Sequence, residues 1–330
     1  MNTIAYIVPY FGKLPSFFKI WLLSASYNKD VDFLIFTDDC TQYDIPKNVQ
    51  IYYMSFEQLR ELVQTNYDFE IALNKPYKLC DFKPAYGEIF SKYLRKYKFW
   101  GHCDIDLMWG KINDFITPDI MNRYDKIGYL GHSTLYRNTY EVNRRYRLPL
   151  GGEELYKTIF TNENNKFFDE DGINKIYRKY GFEIYTEEIM ADLSAIRWNF
   201  FLGHHGEQER GRKQILFWKA GELFTRYIEN NQIKNTEYMY AHFMQRNMTY
   251  SPDCLNNTEL CIIPNTIKPM SWNAITLDFI RKNSRNRIVL YYKDLLKRKK
   301  EVITPRRVLK SIMGRIRGFI KETFFNTNNV

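Results

Sequence analysis

Cysteine is scarce in this chain of 330 residues, and its five cysteines are scattered without a Cys-x-x-Cys pair. An odd number of dispersed thiols argues against a disulfide framework and against a cysteine-based zinc site. The N-terminus lacks a basic start followed by an apolar core, and no apolar run is long enough for a membrane span. We therefore expect a reduced, cytoplasmic protein with neither a signal peptide nor a transmembrane helix.

Glycine motifs that bind nucleotides or present nucleophiles are also missing. The sequence has no P-loop glycine pattern, no Gly-x-Gly-x-x-Gly after its first predicted strand and no Gly-x-Ser-x-Gly elbow. These patterns are typical of P-loop NTPases, dinucleotide-binding enzymes and α/β-hydrolases. The sequence therefore gives no support to those three chemistries.

The net charge of +10 is concentrated near the C-terminus. Residues 281–322 hold 15 of the 48 basic residues but only 3 of the 38 acidic ones, which leaves a near-neutral body. We therefore expect no nucleic-acid partner. Residues 304–325 place apolar side chains on one helical face flanked by Arg and Lys, as in a helix that lies in an anionic membrane interface. The alternative is a helix packed on the body with solvated basic residues.

Alternating strand and helix patterns dominate the first hundred residues. Apolar runs at residues 3–8, 31–36 and 49–54 predict buried strands, and helical patterns follow them. Farther along the chain, the pattern predicts a helix over residues 85–97, a strand over residues 126–130 and a strand–turn–strand pair over residues 215–227. This alternation predicts an α/β fold with a mixed, mostly parallel sheet and flanking helices. Ligands of such sheets bind at the carboxyl ends of the strands, where Pro9, Tyr10, Thr37 and Asp38 fall.

The stretch KFWGHCDIDLMWG, residues 98–110, carries the strongest chemical signal. An apolar, strand-like run leads to Asp104 and Asp106, and apolar residues follow at once. Two carboxylates on one side of a strand end can hold a hard divalent cation and leave sites open for phosphate oxygens. This is the Asp-x-Asp device of sugar-nucleotide glycosyltransferases. The alternative is a solvated or turn-capping pair of acids.

Other candidate residues are less specific, and each has a structural alternative. His242 lies in an apolar-aromatic segment and can complete a manganese site, or it is a core histidine bonded to a carbonyl. His132 is predicted to line the acceptor or sugar pocket. The acid cluster at residues 168–172 offers a base or a hydroxyl ligand, or it caps a helix. Lys83 and Asp81 are predicted to meet a diphosphate and a sugar hydroxyl, or they are a surface lysine and a capping acid.

Four segments taken in order carry a resemblance to a known family: YKLCDFKPAYGEIFSKYLRKYKFWGHCDIDLMWGKI, YLGHSTLYRN, FFDEDG and AHFMQR. Over residues 1 to about 270, the chain resembles glycosyltransferase-like proteins of bacterial polysaccharide gene clusters. Through them it is similar to the GT-A nucleotide-sugar transferases. The resemblance implies a GT-A-type fold, with Asp104, Asp106 and His242 as ligands of Mn²⁺ or Mg²⁺. It also implies Thr37 and Asp38 at the nucleoside, Lys83 at the diphosphate, and Asp169 or Glu170 at the acceptor or sugar. Pro9 and Tyr10 are predicted to bind the nucleotide-sugar from their place at the end of the first strand.

We therefore predict a metal-dependent glycosyltransferase that moves a hexose from a UDP-sugar to a lipid-linked saccharide in surface polysaccharide biosynthesis, with retention of configuration favoured. Residues 1–280 would form the transferase domain, with a nucleotide-binding half to residue 110 and an acceptor half after it. Residues 281–330 would attach it to the inner face of the cell membrane. The alternatives are a metal-dependent sugar nucleotidyltransferase and a non-catalytic, membrane-bound saccharide-binding or scaffold protein.

Overall fold

The computed structural model describes residues 3–195, 197–203, 211–244, 246–287 and 289–293. Its strands are β1 (Ile4–Pro9), β2 (Val31–Thr37), β3 (Val49–Tyr53), β4 (Phe99–Cys103), β5 (Leu107–Trp109), β6 (Lys126–Ile127), β7 (Ser133–Arg137), β8 (Ile184–Tyr185), β9 (Met190–Asp192), β10 (Gln214–Lys219), β11 (Glu222–Glu229), β12 (Gln232–Tyr238), β13 (Tyr240–His242), β14 (Thr249–Tyr250), β15 (Glu259–Ile263) and β16 (Thr266–Pro269).

The α-helices are short, and several are joined by 3₁₀ turns. They are α1 (Phe18–Ala25), α2 (Phe56–Gln64), α3 (Leu79–Phe82), α4 (Tyr86–Ile89), α5 (Ser91–Leu94), α6 (Ile112–Phe115), α7 (Pro118–Arg123), α8 (Tyr140–Arg144), α9 (Leu155–Phe160), α10 (Ile173–Lys179) and α11 (Leu277–Asn283). A π-helical turn, Phe168–Gly172, leads directly into α10. None of the described helices is long and apolar enough to cross a membrane.

The main sheet has seven strands in the order β3-β2-β1-β4-β7-β6-β8. Strands β3, β2, β1 and β4 are parallel to one another, and β7 runs antiparallel to both of its neighbours. The prediction of a mixed, mostly parallel α/β sheet with flanking helices is confirmed. The predicted strands at residues 3–8, 31–36 and 49–54 are β1, β2 and β3.

Both faces of the main sheet are covered, which explains why its central strands read as continuous apolar runs. In β1, Tyr6 and Val8 belong to one hydrophobic core, whereas Ala5 and Ile7 belong to a second core on the opposite face. This division follows from the alternation of side chains along a strand. The first core contains α1, and the second contains residues of α2, α4 and α10.

A three-stranded sheet, in the order β5-β13-β9, matters most for the site. Strand β13 pairs antiparallel with β5 and parallel with β9, so that His242 lies opposite Leu107 on one side and Asp192 on the other. A further, largely antiparallel sheet has the order β12-β11-β10-β15-β16-β14. Its β10–β11 hairpin, which the sequence predicts as strand–turn–strand, turns at Ala220 and Gly221, both with positive φ.

Two predicted elements are shorter than the sequence indicates. A helix is predicted over residues 85–97, but α4 and α5 are separate because Phe90 leaves the helical conformation at φ −99°, ψ 17°. A strand is predicted over residues 126–130, but β6 ends at Ile127 because Gly128 adopts φ +92°. In both cases a single residue turns the backbone and stops the element.

Two compact units divide the chain. One comprises Met1–Ala195 and Asn199–Arg285, and the other Ile196–Trp198 and Asn286–Val330. All residues of the candidate site belong to the first unit. Most of the predicted membrane-binding tail, residues 294–330, lies outside the described residues. The domain boundary at residue 280 and the amphipathic tail helices remain predictions from the sequence.

Candidate functional site

The carboxyl ends of the central strands form one rim of the main sheet. Strands β1, β2 and β4 are in parallel register, and they end at Pro9, Thr37 and Cys103. Strand β7 is antiparallel and therefore begins at the same rim, with Ser133 opposite Cys103. The backbone N–H of Asp104 donates to the carbonyl of His132 over 3.0 Å. The pairing thus brings the predicted nucleotide segments and the Asp-x-Asp segment to one edge.

Asp104 and Asp106 lie in the bend between β4 and β5 rather than within a strand. Ile105 between them is buried in the first core, whereas both aspartates are half-buried. The bend therefore keeps the alternation that the sequence predicts, with one apolar residue inward and its two acidic neighbours toward the rim. The carboxylates lie at an interruption of buried structure, where charge needs a compensating partner.

The third candidate ligand, His242, reaches this bend through β13. The backbone N–H of Phe243 donates to the carbonyl of Asp106 over 3.0 Å, and the His242 Nε2 atom lies 3.6 Å from Asp106 Oδ1. Ligand atoms of Asp104, Asp106 and His242 all lie within 4.8 Å of one another. Two carboxylates and one imidazole form a donor set suited to Mn²⁺, and the carboxylates suit Mg²⁺. The residues present therefore fit a divalent cation.

Lys83 joins the Asp-x-Asp segment to the acidic cluster. Its Nζ atom donates to Asp104 Oδ1 and to the carbonyl of Gly131, each over 2.8 Å, and lies 3.4 Å from Asp169 Oδ2. Burial opposes the charge of Lys83, but the two carboxylates outweigh it and raise its pKa well above the ordinary value. Burial would likewise raise the pKa of Asp104, yet the Lys83 ammonium lowers it overall. Lys83 is thus a charged, buried residue and not a surface lysine.

The π-helical turn supplies Asp169 and Glu170. Glu170 Oε1 accepts from the backbone N–H of Gly131 over 2.8 Å. A Cβ atom at Gly131 would overlap the Asp169 carboxylate, so only glycine allows this close approach. Burial raises the pKa of Asp169 to about 6, although Lys83 opposes the shift. The structure therefore brings Asp169 beside Asp104 with Lys83 between them.

Asp81 requires a correction to the sugar-binding role that the sequence predicts. Its side chain is fully buried, and it accepts from Lys78 Nζ over 2.7 Å and from the backbone N–H groups of Lys166 and Phe168. Lys78 also donates to the carbonyls of Ile159 and Asn164. No exposed carboxylate surface is left for a sugar hydroxyl. Asp81 instead fixes the loop that leads to Asp169, a role indicated by the lysine three residues earlier.

At the edge where the sequence predicts nucleotide binding, the polar residues after β2 bind the loop that follows β1. Asp38 Oδ1 accepts from the backbone N–H of Gly12 over 2.7 Å, while the exposed Asp38 side chain stays accessible from the rim. Thr37 is fully buried. Pro9 and Tyr10 are half-buried, and burial together with the charges of Asp106 and Asp39 raises the pKa of Tyr10.

His132 is buried beside His242 rather than open to a pocket. Its Nδ1 atom lies 2.9 Å from the Tyr240 hydroxyl, and its ring centroid lies 4.3 Å from that of His242. The sequence gives no signal for Asp192, whose Oδ1 atom lies 2.8 Å from His242 Nδ1. Only the pairing of β9 with β13 brings Asp192 here. His132, Asp192 and His242 form a second compact group of metal-ligating side chains.

Comparisons with known proteins identify the family of this chain and some similar folds. The profile of a family of unknown function, DUF6625, matches residues 6–271. Among curated proteins, no sequence matches. Similar solved structures include mouse xyloside xylosyltransferase 1 in its apo form, at 10% identity and a TM-score of 0.39, with 62% of this chain and 91% of that chain covered. The galactosyltransferase LgtC in complex with donor and acceptor sugar analogs is similar at 8% identity and a TM-score of 0.38, with 76% and 90% covered.

Proposed function

We propose that this chain, which belongs to the DUF6625 family, is a metal-dependent glycosyltransferase of the GT-A type that transfers a hexose from a UDP-sugar to a saccharide acceptor. The convergence of Asp104, Asp106 and His242 within 4.8 Å at the rim of the sheet carries this proposal. These three residues would hold Mn²⁺ or Mg²⁺, and the ion would also be available to diphosphate oxygens of the donor.

The chemistry of the donor side follows from charge. When bound, the cation supplies Lewis-acid stabilisation of the departing diphosphate. Lys83 adds a fixed positive charge next to Asp104, in a buried setting where such a charge acts more strongly than in water. Pro9, Tyr10 and Asp38 border the same rim, and we assign this side to the nucleoside. Thr37 is fully buried at the end of β2, so we assign it no contact with the nucleoside.

The acceptor side is assigned to the π-helical turn. Asp169 lies beside Asp104 through Lys83, and burial raises its pKa to about 6. A carboxyl with such a pKa changes protonation near neutral pH and can accept or hold the proton of an acceptor hydroxyl. Glu170 orients the Gly131 segment by its hydrogen bond and borders the same space. The resemblance noted in the sequence favours retention of configuration.

The acceptor and location are proposed from the charge pattern. A near-neutral body followed by a strongly basic, amphipathic C-terminal stretch fits a protein held at an anionic membrane surface. We therefore propose a lipid-linked saccharide at the inner face of the cell membrane as the acceptor, within surface polysaccharide biosynthesis. The glycosyl donor would reach the rim from the cytoplasm.

The decisive experiment measures UDP release from a panel of UDP-hexoses, with and without Mn²⁺. Asp106→Asn removes one charge and one ligand, so we expect release to fall by about 100-fold or more while the protein remains folded. Asp68→Asn, which changes an exposed aspartate, is the matched control and should behave like the unchanged protein. Full activity in EDTA, or normal turnover by Asp106→Asn, would contradict the proposal.

The Lys83–Asp104 ion pair favours one specific alternative. If Lys83 neutralises the Asp104 carboxylate permanently, the site binds saccharides without a metal and has no catalytic activity. Manganese dependence separates the two functions, because a non-catalytic binding protein would bind a nucleotide-sugar without Mn²⁺ and would release no UDP. A protein that shows metal-independent binding and no turnover with any UDP-hexose would establish the binding function.

A further inference from the structure

The candidate metal ligand His242 contacts the buried carboxylate of Asp192 through the ring nitrogen that faces away from Asp106. His242 Nδ1 lies 2.8 Å from Asp192 Oδ1, and the two residues are direct neighbours across the parallel strands β13 and β9. The side chains of His242 and Asp192 are 8% and 10% exposed, so bulk water does not compete strongly for this contact. The opposite ring nitrogen, Nε2, faces Asp106 at 3.6 Å. The imidazole therefore bridges a buried carboxylate and the Asp-x-Asp bend.

We infer that Asp192 is a positioning residue that fixes the ring orientation and tautomer of His242 for metal binding; this inference rests on the proposed function. When Nδ1–H donates to Asp192, the lone pair of the imidazole is on Nε2, the nitrogen that faces Asp106. Metal-bound histidines commonly donate their second ring N–H to a carboxylate, and loss of that partner weakens metal affinity by about 10- to 100-fold. Asp192 occupies this place.

The surroundings of the pair restrict the ring further. The His132 ring lies against that of His242 at a centroid distance of 4.3 Å and an interplanar angle of 30°. His132 is itself held by the Tyr240 hydroxyl, and Tyr240 lies two residues before His242 on the same face of β13. Rotation of the His242 ring would lose the bond to Asp192 and this ring contact together. The geometry thus selects one orientation before a cation arrives.

A second ion held by His132, Asp192 and His242 is the competing interpretation of the same residues. If such an ion used the Nδ1 atom of His242, it would replace the hydrogen bond to Asp192. The 2.8 Å contact already uses that nitrogen, whereas His132 Nε2 is 4.0 Å from Asp192 Oδ1. The observed distances therefore favour the hydrogen bond, and a second ion becomes an outcome of the experiment.

The test measures Mn²⁺ affinity of the full chain without any sugar nucleotide, from the paramagnetic resonance signal of free Mn²⁺. Asp192→Ala should weaken binding about 10- to 100-fold. Asp192→Asn should weaken it less, because the amide oxygen still accepts from Nδ1–H. Combined with His242→Ala, Asp192→Ala should cause no further loss, since its effect acts through that ring. Asp32→Asn, a buried aspartate at the other end of the main sheet, should lower the melting temperature but leave Mn²⁺ affinity unchanged.

Three results would overturn the inference. They are wild-type affinity in Asp192→Ala, an effect of Asp192→Ala that adds to that of His242→Ala, and a second bound Zn²⁺ that His132→Gln removes. A wild-type chain that binds no Mn²⁺ would overturn the inference together with the metal-dependent function. A chain whose Mn²⁺ affinity depends on Asp192 and His242 as expected, but which releases no UDP, would overturn the function alone and support the inference.

Discussion

Replacement of Lys83 by methionine is the sharpest test of the site's electrostatics. The change keeps an unbranched side chain up to Cε but removes the ammonium, whose Nζ atom lies 2.8 Å from Asp104 Oδ1 and 3.4 Å from Asp169 Oδ2. With an effective dielectric constant of about 20, these pairs attract by about 6 and about 5 kcal/mol. Water screens the Asp104 pair, because that side chain is 35% exposed, and the desolvation of Lys83 offsets a further part. We expect a net loss of about 3–5 kcal/mol in unfolding free energy at pH 8.

The loss should depend on pH through Asp169. Burial already raises the pKa of Asp169 to about 6, above its unfolded value, so this residue contributes stability at low pH that is lost as pH rises through 6. Without Lys83 the pKa rises further. A further rise of about two units would add about 2 kcal/mol of destabilisation at pH 8 and almost none at pH 5. The Lys83→Met defect should therefore be clearly smaller at pH 5 than at pH 8.

Urea unfolding at pH 5 and pH 8, with and without Mn²⁺, measures these effects. Mn²⁺ should restore part of the stability of Lys83→Met, because a bound cation replaces the lost positive charge. Lys83→Arg keeps the charge and should retain most of the stability at pH 8. Lys98→Met, at an exposed lysine, is the control for the loss of a lysine as such. Equal defects of Lys83→Met at both pH values would refute the electrostatic account.

Two further predictions concern other parts of the chain. Burial lowers the pKa of Lys126 to about 7, so its stabilising contribution is lost as pH falls through 7. In urea unfolding, the free energy of unfolding of the unchanged protein, relative to that of Lys126→Met, should rise by about 2 kcal/mol between pH 7 and pH 9. A constant difference between the two proteins would contradict this. Deletion of the chain after Asn283 should abolish co-sedimentation with anionic vesicles, because the deleted stretch carries the basic excess, and it should preserve UDP release. Equal pelleting of the full-length and the shortened protein would refute membrane binding through the tail.

The main sheet was largely predictable because its strands carry their own signal. Strands β1, β2 and β4 are buried on both faces and read as apolar runs, and the parallel order follows from the helices between them. Strand β7 gives no such signal, since Ser133 and Thr134 are polar although they are buried. The three-stranded sheet was also not predictable, because β5, β9 and β13 have three residues each and are defined by pairing alone.

The residues of the candidate site also fall into two groups, those identifiable from local sequence and those brought together only by the fold. Asp104 and Asp106 are identifiable because two acids interrupt an apolar run, and that interruption is local in sequence. Asp192 lies 50 residues from His242, and only strand pairing makes them neighbours. The role predicted for Asp81 is wrong because it depends on packing that the sequence does not show. Its place near Lys83 in the sequence indicates a site residue. In the structure Asp81 is paired with the buried Lys78, and that burial depends on packing against the loop at Asn164.

The concentration of carboxylates at the rim gives a further argument for a cation there. Carboxylates of Asp104, Asp106, Asp169 and Asp192 are connected by short contacts through two residues, Lys83 and His242. The single ammonium of Lys83 is shared by Asp104 and Asp169, and the bond of His242 to Asp192 directs its other nitrogen to Asp106. Four carboxylates this close together repel one another. A divalent cation between Asp104, Asp106 and His242 would reduce that repulsion, and the half-exposed bend gives it access from solvent.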